Sequence, residues 1–297
     1  MRVAFAGTAP FAEAVLGGLL GTRHAPVVVV TNPDRPRGRH GTPRPPGIKT
    51  AALTADLPVL QPQLIGDPEA VEALLGHAPD VFVACAYGQI VGAAVLAALP
   101  CLVVHPSPVP RWRGAAPVER ALMAGETALG VATLQMTAGV DEGPVADERP
   151  VEVPPDADAG EAYRRLAPVA VASLLATLDG MEDGSVRWRP QEGAVSYAAK
   201  VTADDRRIDW TRPATAIADQ VRALSPHIGT VTDLLGRRTF VWRARAGEGP
   251  LPPSSHDMLV IPAGDGWIEV LELQQEGRRR MTAAEFLRGA GRALAGP

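Results

Sequence analysis

At 297 residues the chain is long enough for about two domains with at least one full core, and so is neither a peptide nor a disulfide-stapled scaffold. Hydrophobic residues make up 46% and charged residues 21%, ordinary soluble usage that argues against disorder, and 30 Gly and 29 Pro without a repeating period exclude collagen. The net charge of -4 argues against a general nucleic-acid binder, but it is unevenly spread: residues 205–297 carry 13 Arg against 11 acids, and within 33–49 Arg35, Arg37, Arg39, Arg44 and Lys49 oppose Asp34 alone.

Residues 3–6 read as a strand, too short an apolar stretch for a signal peptide, which gives a cytoplasmic expectation. Gly7-Thr8-Ala9-Pro10 turns the chain into a helix over about 11–20, and 27–31 is a β-branched run of the kind buried on both faces of a parallel sheet. Helices are predicted near 49–55 and 68–75, then strands at 81–84 and 101–104 with a helix at 90–99 between them. A further strand falls at 130–136, and Asp158 can cap a helix over 159–178. This alternation predicts an α/β, Rossmann-like doubly wound domain over 1–185. Gly, Asp, Pro and Ser without a period then read as a linker, assigned to 186–208. In 209–297 Ile217, Val221 and Leu224 mark a helix, while 239–246 and 267–273 alternate like antiparallel strands. Thr282-x-x-Glu285 opens a last helix as a capping box, so this part is expected to be a small, mainly β, OB-like barrel that supports RNA. No run of about 20 apolar residues is present to span a bilayer. Cys85 and Cys101 lie in apolar segments and are expected buried and reduced.

In an open α/β sheet, ligands bind outside the carboxyl ends of the strands, so polar residues just after a core strand are the first candidates. Gly7-Thr8-Ala9-Pro10 fits neither a dinucleotide nor a triphosphate motif and reads as a tight turn. His105-Pro106-Ser107-Pro108-Val109-Pro110 follows a predicted strand, and its three prolines fix the backbone around Ser107 as a preorganised site requires. Asp141, in a Gly-flanked loop after the 130–136 strand, is placed to pair with His105 and orient its ring. The histidines show no metal-ligand spacing and there is no C-x-x-C, so no metal is expected. No G-x-S-x-G elbow surrounds Ser107, which argues against a serine hydrolase. The basic stretch lacks aromatics for base stacking, and phosphate contact by Arg is sufficient to explain it.

Taken together, Phe5-Ala6-Gly7-Thr8, the Asn32 to Arg39 segment, Ala86-Tyr87-Gly88, His105-Pro106-Ser107, Arg111-Trp112-Arg113-Gly114-Ala115-Ala116-Pro117, Gly139-Val140-Asp141-Glu142-Gly143 and Ser196-Tyr197 resemble the methionyl-tRNA formyltransferase family. Ile208-Asp209-Trp210, Val241-Trp242 and Glu276-Gly277-Arg278 extend the resemblance over nearly the whole chain. It implies formyl transfer from 10-formyltetrahydrofolate to the amino group of methionyl-initiator tRNA, by a monomer without membrane attachment. It also implies catalytic roles for His105 and Asp141, and a folate-binding loop of Ser107, Pro108, Val109 and Pro110 with Tyr87, Gly88 and Gln89 lining the pterin pocket. Arg39, with Arg35, Arg37 and Arg44, is implied to contact the tRNA acceptor end. Val103 stands where the family has Asn, an oxyanion donor whose loss costs roughly 100- to 1000-fold in related acyl-transfer chemistry. Two alternatives therefore stay open: a folate- and tRNA-binding homologue with weakened catalysis, and a formyltransferase for another amine, such as an amino sugar nucleotide.

Overall fold

The computed structural model describes residues 1–37, 41–252 and 258–294. They form two compact units: Met1–Ala115, Leu129–Glu152 and Tyr163–Ala198 in the first, Ala116–Ala128, Val153–Ala162 and Ala199–Pro297 in the second.

In chain order, β1 (Val3–Gly7) leads through α1 (Pro10–Leu19) to β2 (Pro26–Val30). A short hairpin of β3 (Arg35–Arg37) and β4 (Thr42–Arg44) precedes α2 (Gly47–Thr54) and β5 (Val59–Leu60). The alternation continues with α3 (Pro68–Leu75), β6 (Val81–Cys85), α4 (Ala93–Ala98) and β7 (Cys101–His105). Next come β8 (Arg113–Gly114), α5 (Pro117–Met123), β9 (Ala128–Gln135), β10 (Val145–Glu152), α6 (Ala159–Glu182) and β11 (Tyr197–Ala198). After one 3-10 turn, α7 (Ala214–Leu224), β12 (Thr230–Leu234), β13 (Arg237–Glu248), β14 (Leu259–Pro262), β15 (Gly266–Gln275), β16 (Met281–Thr282) and α8 (Ala283–Leu294) complete the chain.

The first unit is built on a seven-stranded sheet in the order β10-β9-β7-β6-β1-β2-β5. The five strands from β7 to β5 run parallel, and β9 is antiparallel to β7. Parallel strands need cover on both faces, and the unbroken apolar runs of β1, β2 and β6 supply it. Ala4, Ala6, Val28, Val30, Phe82 and Ala84 share one core cluster with Leu74 of α3 and Val95 of α4. Burying a side chain such as Phe82 contributes about 1.5–3 kcal/mol. α1 and α6 approach so closely that a Cβ on Gly18 would lie 2.4 Å from a Val171 methyl carbon. Asp158 caps α6, its Oδ1 accepting the Glu161 N–H at 2.8 Å.

Several elements depart from the sequence reading. The helix expected at 90–99 is confined to α4, because Gly88 at φ +81 turns the chain and Gly92 sits at the helix N-cap. The hairpin β3–β4, the helix α5 and the strand β10 carry no period strong enough to be read in advance. Residues 186–198, the first part of the stretch read as a linker, are held to the first unit by a Val145–Arg189 bridge and by β11 on β8.

The second unit is mostly β. Its sheet runs β12-β13-β15-β14 with β16 on β15, every pair antiparallel. Val241, Ile268, Val270 and Leu273 meet Ile217 and Val221 of α7 and Phe286 of α8 in one core. The capping box is reciprocal: Thr282 N–H donates to Glu285 Oε2 at 2.9 Å and Glu285 N–H to Thr282 Oγ1 at 3.2 Å.

Within this unit Arg120 of α5 donates from both Nη atoms to the two oxygens of Asp205, each at 2.7 Å. With the Thr202 donors behind it, this fork holds the Asp205 carboxyl far below its ordinary 3.8. A depressed carboxyl stabilises the fold above its unfolded value, and the contribution is lost as pH falls towards the folded value. Asp205→Asn should therefore lower the melting temperature at neutral pH by a margin that shrinks between about pH 4 and pH 2. Thermal melts of both proteins across that range check it, and a pH-independent gap would contradict it.

Candidate active site

β7 delivers His105 to the carboxyl end of the sheet, and the chain then folds back on itself through three prolines. Ser107 N–H donates to His105 O and Ser107 Oγ to Arg111 O, both at 2.9 Å, while Arg111 N–H donates to Pro108 O at 3.1 Å. The Val109–Pro110 peptide is cis. The far side of the loop is tied to residues 196–198. Ser196 N–H donates to Pro110 O at 3.2 Å, Ser196 Oγ accepts Trp112 N–H at 2.9 Å, and β8 pairs in parallel with β11. This scaffold turns the Trp112 carbonyl onto His105 Nε2 at 2.9 Å. A carbonyl only accepts, so Nε2 carries the donated proton and Nδ1 is the nitrogen left for proton exchange. Asp141 Oδ2 stands 3.5 Å from that Nδ1, and His105 is buried.

Asp141 lies on the tight loop between β9 and β10. A Cβ on Gly143 would fall 1.8 Å from Gln135 O, so only glycine lets the chain turn there. Asp141 itself takes a left-handed φ of +53 and accepts the Gly114 N–H on Oδ2 at 2.9 Å. Gln191 bridges the same parts: its Nε2 donates to the carbonyls of Asp141 and Gly143 at 2.8 Å each, and its Oε1 accepts from Arg113 Nε at 3.1 Å and Nη2 at 2.8 Å. The sequence reading picked out Arg113 as part of the basic motif after the proline loop, but found neither Gln191 nor the Trp112 carbonyl. A lone Gln in a stretch without periodicity gives no signal, and a backbone carbonyl never does.

Val103 lies two residues before His105 on β7, against Val109, Ala132, Leu134 and Val145. It brings no hydrogen-bond donor to this apolar wall. Tyr87 is buried with no partner for its hydroxyl among the described residues, and burial pushes the phenol well above its ordinary 10.0. Its carbonyl accepts from Thr8 Oγ1 at 3.0 Å and Asn32 Nδ2 at 2.9 Å. The Gln89 side chain is also committed, accepting Ile65 N–H at 2.9 Å and donating to Asn32 Oδ1 at 2.8 Å. Asn32 thus joins three loops, a role not anticipated from sequence. Ala86 and Gly88 are exposed beside Ile90, which is 89% exposed, so the free surface of this turn is mostly backbone and apolar side chain. In the proline loop Ser107, Val109 and Pro110 are buried and Pro108 is half-buried.

In the basic hairpin Arg35 and Arg44 are directly opposite across β3 and β4, and both are exposed. Like charges so placed repel each other, which favours an anion between them. Asp34 is drawn away, accepting from Gln61 at 2.7 Å and Lys49 at 3.0 and 2.9 Å, and these donors hold its carboxyl below the ordinary 3.8. Arg37 closes β3, and Arg39 lies outside the described residues.

The class follows from the two units: the Formyl transferase family matches residues 1–178, and the Formyl transferase C-terminal domain family residues 200–291. A methionyl-tRNA formyltransferase of Methylobacterium sp. (strain 4-46) is 41% identical over 300 residues, 97% of this chain and 96% of that protein. One from Thiobacillus denitrificans is 41% identical over 304 residues, 99% of this chain and 97% of that protein. The chain belongs to the methionyl-tRNA formyltransferase family. A solved structure of HypX from Aquifex aeolicus in complex with tetrahydrofolic acid shares the fold, with TM-score 0.70 and 21% identity over 100% of this chain and 48% of that one.

Gly143→Ala should destabilise the protein by about 1–3 kcal/mol, because the backbone must move to admit the Cβ. Urea unfolding measures this, and an unchanged midpoint would contradict the close approach described.

Proposed function

We propose that this protein transfers the formyl group of 10-formyltetrahydrofolate to the α-amino group of methionyl-initiator tRNA, giving N-formylmethionyl-tRNA for translation initiation in the cytoplasm. The observation that carries the reading is the His105–Asp141 pair, with one imidazole nitrogen anchored on Trp112 O and the other 3.5 Å from a carboxylate. Acyl transfer to an amine requires a group that takes the proton of the attacking amine and returns one to the leaving nitrogen. His105 Nδ1 does both: the amine nitrogen bonds to the formyl carbon, its proton passes to Nδ1, and the carbonyl becomes an oxyanion. As the oxyanion collapses, the bond to the folate nitrogen breaks and that nitrogen takes the proton back. Asp141 faces the ring while it is positive and fixes its orientation.

Ser107, Pro108, Val109 and Pro110, with the backbone of Tyr87, Gly88 and Gln89, form the folate-binding surface in this reading. Their support is that the Ser107 and Gln89 side chains are already hydrogen-bonded within the protein, which leaves a fixed surface to an incoming ring. Arg35, Arg37, Arg39 and Arg44 hold phosphates of the tRNA acceptor end, supported by the cross-strand arginine pair. The mostly β second unit supports the tRNA through its backbone. Val103 favours a second reading, a folate- and tRNA-binding homologue of weakened catalysis, because its apolar setting offers no donor to an oxyanion.

Initial rates of formylmethionyl-tRNA formation from 10-formyltetrahydrofolate test the proposal. His105→Ala should lower kcat about 100- to 10,000-fold. Full turnover in that variant would overturn the pairing. Arg35→Ala with Arg44→Ala should raise KM for tRNA and weaken its salt dependence while sparing KM for the folate. An equal loss towards both substrates would refute the role of the hairpin.

A further inference from the structure

We propose that Gln191 is a positioning residue for the transfer, setting the His105–Asp141 pair by clamping the Asp141 turn to β8. The inference rests on the reading of His105 and Asp141 as the catalytic pair. It stands on a closed ring of contacts. The Gln191 amide donates to the carbonyls of Asp141 and Gly143 and accepts twice from Arg113, so every hydrogen-bonding position of the carboxamide is filled. Arg113 is buried and also faces Glu142 Oε1 at 3.5 Å, and the next residue, Gly114, donates its N–H to the Asp141 carboxylate. The backbone carrying Gln191 is itself fixed, since Arg189 and Val145 exchange hydrogen bonds at 2.8 and 3.0 Å.

The turn needs such a clamp. Asp141 is held at φ +53, a left-handed conformation that persists in a non-glycine residue only where its surroundings enforce it. Apolar packing does not enforce it: Thr137, Ala138 and Glu142 are exposed, and Val140 is 61% exposed. Hydrogen bonds from Gln191 and Gly114 therefore hold the carboxylate at His105 Nδ1. A misplacement near 1 Å at a reacting pair costs on the order of 100-fold in rate. Gln191 touches neither His105 nor the Asp141 carboxylate, so its action passes through the turn.

The test uses the full-length protein and steady-state formylation of methionyl-tRNA, with the Gln191→Leu, Gln191→Glu, Asp141→Ala and Asp141→Ala/Gln191→Leu variants. Leu removes all four hydrogen bonds at similar size, whereas Glu keeps the acceptor for Arg113 and loses both donors to the turn. Both Gln191 variants should lower kcat about 10- to 100-fold with KM for either substrate within about twofold. In the Asp141→Ala background Gln191→Leu should change kcat less than about twofold, because the carboxylate it positions is gone. A Gln191→Glu variant with wild-type kcat, or a Gln191→Leu loss undiminished in the Asp141→Ala background, would overturn the proposal. If Asp141→Ala alone keeps full turnover, the catalytic pairing is what fails, and the positioning role falls with it.

Discussion

The hydrogen bond from His105 Nε2 to the Trp112 carbonyl is the constraint on which the rest of the site depends. It fixes which nitrogen is free, and thereby makes the 3.5 Å approach of Asp141 to Nδ1 chemically meaningful. The Trp112 carbonyl is aimed by the proline loop on one side and by Ser196 and the β8–β11 pair on the other, so two short strands about eighty residues apart in sequence determine the geometry of one ring. The parallel sheet beneath contributes rigidity. Its central strands β1 and β6 are buried along their whole length, and β7 places His105 at its last residue.

The same logic separates what was legible in the sequence from what was not. β1, β2, β6 and β7 are unbroken apolar runs, and such runs announce themselves because a doubly covered strand has no solvent face to encode. The capping box at Thr282 and the cap at Asp158 were legible because both are local, with donor and acceptor three residues apart. His105 and Asp141 stood out by following predicted strands. Gln191, Ser196 and Asn32 act across distances of 50 residues or more, or through backbone carbonyls, and no local pattern reports that. Residues 186–198 lack hydrophobic period for the same reason: hydrogen bonds and the single buried Ala198, not an apolar face, attach them to the first unit.

The acid within the basic stretch, Asp34, has its own cation. Asp34 is occupied by Lys49 and Gln61, which leaves Arg35 and Arg44 facing each other without a carboxylate among the described residues. A repulsive pair of this kind destabilises the free hairpin slightly and gains when a phosphate arrives. The overall charge of -4 therefore does not weigh against an RNA substrate, because recognition responds to the local field.

Val103 lines β7 without a polar group of its own. Its neighbours Val109, Ala132, Leu134 and Val145 are apolar, so it is part of a wall, and in the proposed transfer His105 bearing the amine's proton is the positive group available to a developing oxyanion. The most direct measurement is the initial rate of formylmethionyl-tRNA formation from 10-formyltetrahydrofolate by this protein beside its Val103→Asn variant. An active site completed by His105 and Asp141 predicts that the parent turns over within about tenfold of the variant, against the roughly 100- to 1000-fold gap expected when an oxyanion donor is missing. A parent without turnover beside an active variant would contradict the account, and would make the chain a binder of folate and tRNA instead of an enzyme.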